Sequence, residues 1–266
     1  MRHTNKLLPK LRSQDEKGNH MKYMGSKSRI AKKILPIIQK YVDASKTKIY
    51  YEPFCGGCNV IEHINAKERR ASDLQPYLIA LLQNLDKLES LPAFVDKEHY
   101  AEVRESFHKI DGKFPDWYIG AVGFLASYNG RFFDGGYAGL VHTKAGTTRD
   151  YYAEALRNLK AQSKDLMGVH FACADYRDIL YIPGSVIYCD PPYHGVKQYG
   201  INRCFDHDSF WAWVRRKSKE NVVLVSEHTA PDDFCCVWEQ PVKRTIDNHK
   251  RVAAVEKLWR LEGDGK

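Results

Sequence analysis

The sequence predicts an α/β fold: a mostly parallel sheet flanked by helices, closed by a C-terminal antiparallel hairpin and interrupted by a smaller inserted segment. Three observations lead there. Residues 49–85 read as strand, glycine turn, helix, strand and helix, the alternation that builds parallel sheets. Two short β-branched apolar runs, Ser185 to Cys189 and Val222 to Glu227, have the near-continuous hydrophobicity of strands buried on both faces. This rhythm breaks between Leu88 and about Lys164, and the tail, Val237 to Ile246 and Val252 to Leu261, reads as a hairpin with Lys243, Arg244, Lys250 and Arg251 near its turn.

The 266 residues, 43% of them hydrophobic, are enough for one substantial core and a smaller lobe. A formal charge of +8 suits a polyanionic partner, most simply nucleic acid. No apolar stretch approaches membrane-spanning length and the N-terminus lacks the apolar core of a signal peptide, so no membrane partner is expected. Seven cysteines, an odd number without small-scaffold spacing, read as reduced thiols of a cytoplasmic protein.

Taken in order, residues 1–20 are polar and charged and are expected to form a flexible extension, with some helix around Leu7, Leu8 and Leu11; Met21 is a second candidate start. Lys22-Tyr23-Met24-Gly25-Ser26-Lys27 then opens a helix marked by Ile30, Ile34, Leu35, Ile37 and Ile38. Such a loop offers free backbone N–H groups to an anion, or is an ordinary helix start capped by Ser26 or Ser28. Ile49 to Ile61 reads as strand, glycine turn and helix, the glycines allowing the backbone to approach a ligand. Cys55 and Cys58 are spaced like a redox or metal pair, but no second Cys/His pair stands at zinc spacing, so no metal is expected.

Arg69 to Gln75 reads as a second strand ending in an acid. Asp73 is placed either to accept hydrogen bonds from ribose hydroxyls or to cap the helix expected over Pro76 to Leu85. A helical pattern over Phe94 to Ile110 leads into Trp117 to Ser127. The loop after it, Tyr128-Asn129-Gly130-Arg131-Phe132-Phe133-Asp134-Gly135-Gly136-Tyr137, interleaves glycine, aromatic and Arg/Asn residues. That mixture suits a flexible surface meeting nucleic acid, or an aromatic-rich hairpin whose glycines serve the turn. Lys144, Thr147, Thr148 and Arg149 follow as candidate phosphate contacts. Val169 to Tyr176 is another strand ending in an acid: Asp175 is a candidate partner for an adenine amino group, or a helix cap. A polar loop from His194 to Cys204 precedes a helix over Asp208 to Lys217.

The stretch Val186-Ile187-Tyr188-Cys189-Asp190-Pro191-Pro192-Tyr193 carries the chemistry. Two prolines cannot donate ladder hydrogen bonds, so the strand stops and the backbone is stiff just past its carboxyl end, where open α/β sheets bind ligands. The loop presents one carboxylate, carbonyls without competing N–H groups, and an aromatic face.

Lys22-Tyr23-Met24-Gly25-Ser26-Lys27, Glu52-Pro53-Phe54 with Gly56, Asp73 and Asp190-Pro191-Pro192-Tyr193 occur in the order found in Dam-like DNA adenine-N6 methyltransferases, which the chain resembles from Met21 onward. The resemblance implies a Rossmann-like methyltransferase fold over 21–87 and 165–266, with 88–164 as an inserted target-recognition domain. It implies S-adenosylmethionine as cofactor, contacted by Tyr23, Lys27, Asp73 and Asp190 in a pocket shaped by Glu52, Phe54 and Gly56, and double-stranded DNA as partner. Cys58 departs from the pattern, standing where the family commonly has a second glycine.

The expected activity is therefore that of an adenine-specific DNA methyltransferase. The N6 amine of adenine is a poor nucleophile because its lone pair is delocalised into the ring. Asp190 and the Pro191 carbonyl are expected to accept its two N–H bonds, with Pro192 stiffening the loop and Tyr193 stacking on the flipped base. Asp175 joins the cofactor candidates, while Tyr128, Asn129, Arg131, Lys144 and Arg149 are the candidate DNA contacts. The protein is expected to be a monomer needing no metal. Alternatives are the same chemistry on cytosine N4 or on RNA adenine, and an inactive DNA-binding relative.

Overall fold

The computed structural model describes residues 20–142, 146, 148–194, 205–247 and 250–263. The expected extension up to residue 19, Lys144, Thr147 and nearly all of the expected polar loop lie outside the described residues.

A seven-stranded sheet has the order β5-β2-β1-β6-β7-β9-β8, formed by β1 (Ile49–Glu52), β2 (Glu68–Asp73), β5 (Val169–Cys173), β6 (Val186–Cys189), β7 (Val222–Ser226), β8 (Phe234–Asp247) and β9 (Lys250–Leu261). The first five strands of that order are parallel, and β9 and β8 close the sheet antiparallel. The strand order reverses between β1 and β6, in register at Tyr50 with Val186 and Tyr51 with Ile187. Such a reversal leaves a crevice at the strands' carboxyl ends, where open α/β sheets take ligands.

Strand alternation divides the core between the two faces. Tyr50, Ala71, Val186, Tyr188, Leu224 and Leu258 point into one apolar layer with α1 (Ser28–Ala44), α2 (Pro76–Leu82), α3 (Lys97–Lys109), α4 (Asp116–Leu125) and α5 (Tyr151–Ser163). Ile49, Tyr51, Ile187, Cys189, Val223 and Val225 face the other layer with Tyr176, Tyr181 and α6 (His207–Ser218). The span 88–164 thus contributes its helices to the first layer. α4 lies so close to α2 that a Cβ on Gly120 would stand 2.1 Å from the Tyr77 carbonyl oxygen, so only glycine permits this packing. Beyond the helices, β3 (Leu140–His142) and β4 (Thr148–Asp150) form a small antiparallel ribbon. Among the described residues, no helix is long and apolar enough to cross a membrane.

Several local expectations need correction. The helix expected after the glycine turn is a single 3-10 turn, Ile61–His63, because Cys58 takes a left-handed backbone (φ 61°) that stops helical propagation just before it. α1 starts at Ser28, and Lys27 before it supplies no side-chain cap; Ser26 Oγ instead accepts the Ser28 N–H. Asp73 is not the cap of α2, since Gln75 is, through its side-chain oxygen and the Tyr77 N–H. α2 also ends at Leu82 rather than Leu85. No helix follows Asp175, which accepts the Arg177 N–H within a turn. The aromatic loop is only partly a surface. Phe133 is buried, and Phe132 stacks on Tyr77 (5.4 Å between ring centres) and packs against Phe107 and Phe124. Tyr128, by contrast, is exposed.

Candidate active site

The catalytic candidates sit at the reversal point because β1 and β6 both end there. Asp190 is the first residue past β6, and its carboxylate meets the Lys27 ammonium at 2.6 Å, with the two side chains only 17% and 10% exposed. That ammonium also lies 4.4 Å from the centre of the Tyr193 ring, so one cation covers both the carboxylate and an aromatic face. Pro191 is buried and Pro192 half-buried between them.

Tyr193 is anchored from behind: its hydroxyl donates to Glu256 Oε2 at 2.8 Å, and His228 packs edge-on at 4.7 Å. Burial and the Asp190 and Glu256 carboxylates push its phenol well above the ordinary value, so it stays a neutral donor. The next residue is held by Glu227, which is buried just past β7. Its carboxylate accepts the backbone N–H groups of His194 (3.0 Å) and His228 (2.7 Å). Burial raises the Glu227 pKa, and those two hydrogen bonds oppose the rise. Sequence reasoning missed Glu227 and Glu256. Glu227 had one signal, an acid ending an otherwise apolar strand; Glu256 had none, because its partner lies 63 residues away.

Asp73 reaches across to the glycine loop, its Oδ2 accepting the Gly56 N–H (3.1 Å) and its Oδ1 the Gln75 N–H (3.0 Å). Burial moves its pKa up and these bonds resist. The Tyr23 ring lies against the same loop: a Cβ on Gly56 would stand 2.8 Å from Tyr23 Cε1, and one on Gly57 2.8 Å from Tyr23 Cβ. The glycines therefore let the two loops nest. Glu52 is buried and accepts the Tyr50 hydroxyl at 3.0 Å; desolvation lifts its pKa well above the carboxylate range. Phe54 joins Tyr176, Phe205 and Phe210 in the opposite apolar layer. Asp175 holds Arg177 in a two-oxygen pair (2.8 and 2.9 Å), which keeps its pKa low.

Tyr128, Asn129 and Arg149 meet in one cleft of about 270 Å³, whose walls include Lys22 and Tyr151. Arg149 is gripped by Glu154 (2.7 and 2.8 Å) and lies 4.7 Å over the Tyr151 ring. Asn129 is exposed with φ 54°, and Arg131 is half-buried beside them. This cleft adjoins the Tyr23 loop directly, since a Cβ on Gly130 would stand 2.0 Å from the Lys22 carbonyl oxygen.

A comparison with curated proteins finds no match. A solved structure from Pyrococcus horikoshii, of a protein provisionally described as an RNA methyltransferase, is similar at 11% identity and a TM-score of 0.38, covering 90% of this chain and 83% of that one. The model of the D12 class N6 adenine-specific DNA methyltransferases matches residues 23–220, a span reaching from the Tyr23 loop past Asp190-Pro191-Pro192-Tyr193 to the end of α6. With the matched span taking in both ends of the Lys27–Asp190 pair, the chain belongs to the D12 class N6 adenine-specific DNA methyltransferase family.

Proposed function

We propose that the chain transfers a methyl group from S-adenosylmethionine to N6 of an adenine extruded from double-stranded DNA. The observation that carries this reading is the Lys27–Asp190–Tyr193 cluster at the sheet's reversal point. The residues fit the cofactor. A carboxylate has about four acceptor sites, and the two backbone donors on Asp73 leave room for ribose hydroxyls. The Gly56–Gly57 loop nested with Tyr23, together with Lys27, would hold the remainder. When bound, S-adenosylmethionine supplies an electrophilic methyl group on a sulfonium.

Asp190 and the Pro191 carbonyl would accept hydrogen bonds from the two N6–H groups, drawing the nitrogen toward tetrahedral geometry and stabilising the positive charge that develops as the methyl–sulfur bond breaks to leave a neutral thioether; the amine's surplus proton then leaves through Asp190 to solvent. Tyr193, fixed by Glu256, offers its face to the base, and Glu227 holds the chain just beyond it. Lys27 occupies the space the amine needs, so its ammonium must turn away first. The carboxylate of the cofactor's methionine portion is an alternative anion for it, which favours cofactor binding before DNA. Residues 88–164 supply target recognition through the Tyr128–Asn129–Arg149 cleft, with the methyltransferase domain formed by 21–87 and 165–266.

Incubation with methyl-labelled S-adenosylmethionine and equal amounts of duplex DNA and RNA, followed by digestion to nucleosides, tests the proposal. Label in N6-methyladenine of DNA is the expected result. Label confined to RNA or to N4-methylcytosine would replace the substrate, and no transfer at all would leave an inactive DNA-binding relative.

A further inference from the structure

A second chemical cluster lies just past the glycine loop along the chain. Glu62, in the 3-10 turn after that loop, has a side chain only 1% exposed, yet its Oε1 faces two imidazoles: His20 Nδ1 at 2.7 Å and His63 Nε2 at 3.5 Å. The rings stand nearly perpendicular, 86° apart with centres 5.7 Å from one another. All three ligand-type atoms lie within 4.8 Å of each other. Despite their proximity, His20 Nδ1 and Glu62 Oε1 do not meet hydrogen-bond geometry, and both stay buried without a hydrogen bond among the described residues. The Glu62 carboxylate pairs with His20 only while that ring carries a proton, and it raises the His20 pKa; two neutral imidazoles around the same buried oxygen are instead a donor set for a metal cation.

We propose that His20, Glu62 and His63 form a binding site for a divalent ion of the zinc class. Two imidazoles and one carboxylate are a donor set that borderline cations favour over magnesium or calcium, which prefer all-oxygen shells. With metal–ligand bonds of about 2.0–2.1 Å, tetrahedral ligands stand roughly 3.3 Å apart, so side-chain shifts of under about 1 Å bring these atoms into place. His63 is 39% exposed, which leaves the fourth position to solvent.

The ion would act as a clip. His20 directly precedes Met21, whose N–H donates to Gln162 Oε1 while Gln162 Nε2 donates to the Gly57 carbonyl. Metal at Glu62 and His63 would tie the start of the Tyr23 loop to the turn that follows the glycine loop. It takes no part in methyl transfer.

The test uses the full chain, stripped with chelator, dialysed and titrated with zinc chloride and separately with cobalt chloride. Wild type is expected to bind one equivalent of zinc and to melt at a higher temperature with it. His63→Ala should weaken binding by at least the roughly ten- to hundredfold seen when even an outer-shell partner is lost, and His20→Ala/His63→Ala should abolish it. Zinc-induced shifts are compared within each variant, so an intrinsic loss of stability does not enter. The cobalt complex should show ligand-field bands without thiolate charge transfer, which excludes the exposed Cys173, Cys235 and Cys236. No bound zinc, binding unaltered in the double variant, or a thiolate band would each overturn the proposal.

Discussion

Asp73 offers a perturbation whose two effects can be separated. Its carboxylate accepts the Gly56 and Gln75 N–H groups at 3.1 and 3.0 Å, and a carboxylate has acceptor capacity beyond these two for the proposed ribose hydroxyls. Hydrogen bonds to a charged acceptor are worth about 1.5–3 kcal/mol each. Because Asp73 is half-buried, water replaces part of the loss, and Asp73→Ala is expected to cost about 2–4 kcal/mol of stability by releasing the glycine loop. Asp73→Asn keeps the shape and one acceptor oxygen, so it should cost about half of that. Both variants remove the charged acceptor from the ribose, and loss of about 1.5–3 kcal/mol there raises the cofactor dissociation constant roughly ten- to hundredfold. Urea unfolding measures the first effect and calorimetric titration with S-adenosylmethionine the second. An Asn variant that binds the cofactor as tightly as wild type would refute the reasoning and leave Asp73 as a former of the loop alone.

Three further outcomes are expected. Burial raises the Glu52 pKa in the folded state, so its contribution to stability is present below the unfolded value of about 4.3 and is lost as pH rises through the folded one. Glu52→Gln, still accepting from Tyr50, should remove this decline, visible as a flatter pH dependence of the urea midpoint above about pH 4.3; an unchanged curve would show that Glu52 does not titrate abnormally. Glu256→Ala should lower the methylation rate by releasing Tyr193, while Glu256→Gln, still able to accept from its hydroxyl, should restore most of it; equal damage in both would make the contact incidental. Asn129→Gly keeps the left-handed backbone and deletes the exposed amide, so it should relax preference at one site position by about 1–3 kcal/mol in a library of randomised sites. A uniform loss across positions would make Asn129 a phosphate contact.

The candidate site was most legible where one short run of residues locates it. Val186 to Tyr193 declares both a buried strand and its abrupt end, and the reversal point of the sheet lies where those prolines place it. Asp73 was located correctly at a strand end, but its second partner was hidden, because the choice between ribose and helix cap omitted the Gly56 N–H. The helix after the glycine turn failed for a local reason: Cys58 occupies a left-handed conformation that its side chain does not advertise. The aromatic loop was read as surface because Phe132 and Phe133 lie between glycines and Arg131, yet both rings fill space over Tyr77, Tyr100 and Phe107. Glu227 and Glu256 were invisible as partners of the Asp190–His194 segment because strand pairing, not sequence spacing, delivers them. His20 fell within an expected flexible extension, although it meets Glu62 and His63 across the fold.

The central claim is that the Asp190 carboxylate activates the adenine amine. Its most direct test is the single-turnover rate of methyl transfer to duplex DNA, with cofactor and DNA saturating, for wild type and Asp190→Asn. The substitution keeps the side chain's shape and removes its charge. By analogy with the loss of one preorganised charge-stabilising group, the rate is expected to fall by about 10²–10³ while the fold, read from the melting transition, persists. A rate within about threefold of wild type, less than 1 kcal/mol of barrier, would contradict the account.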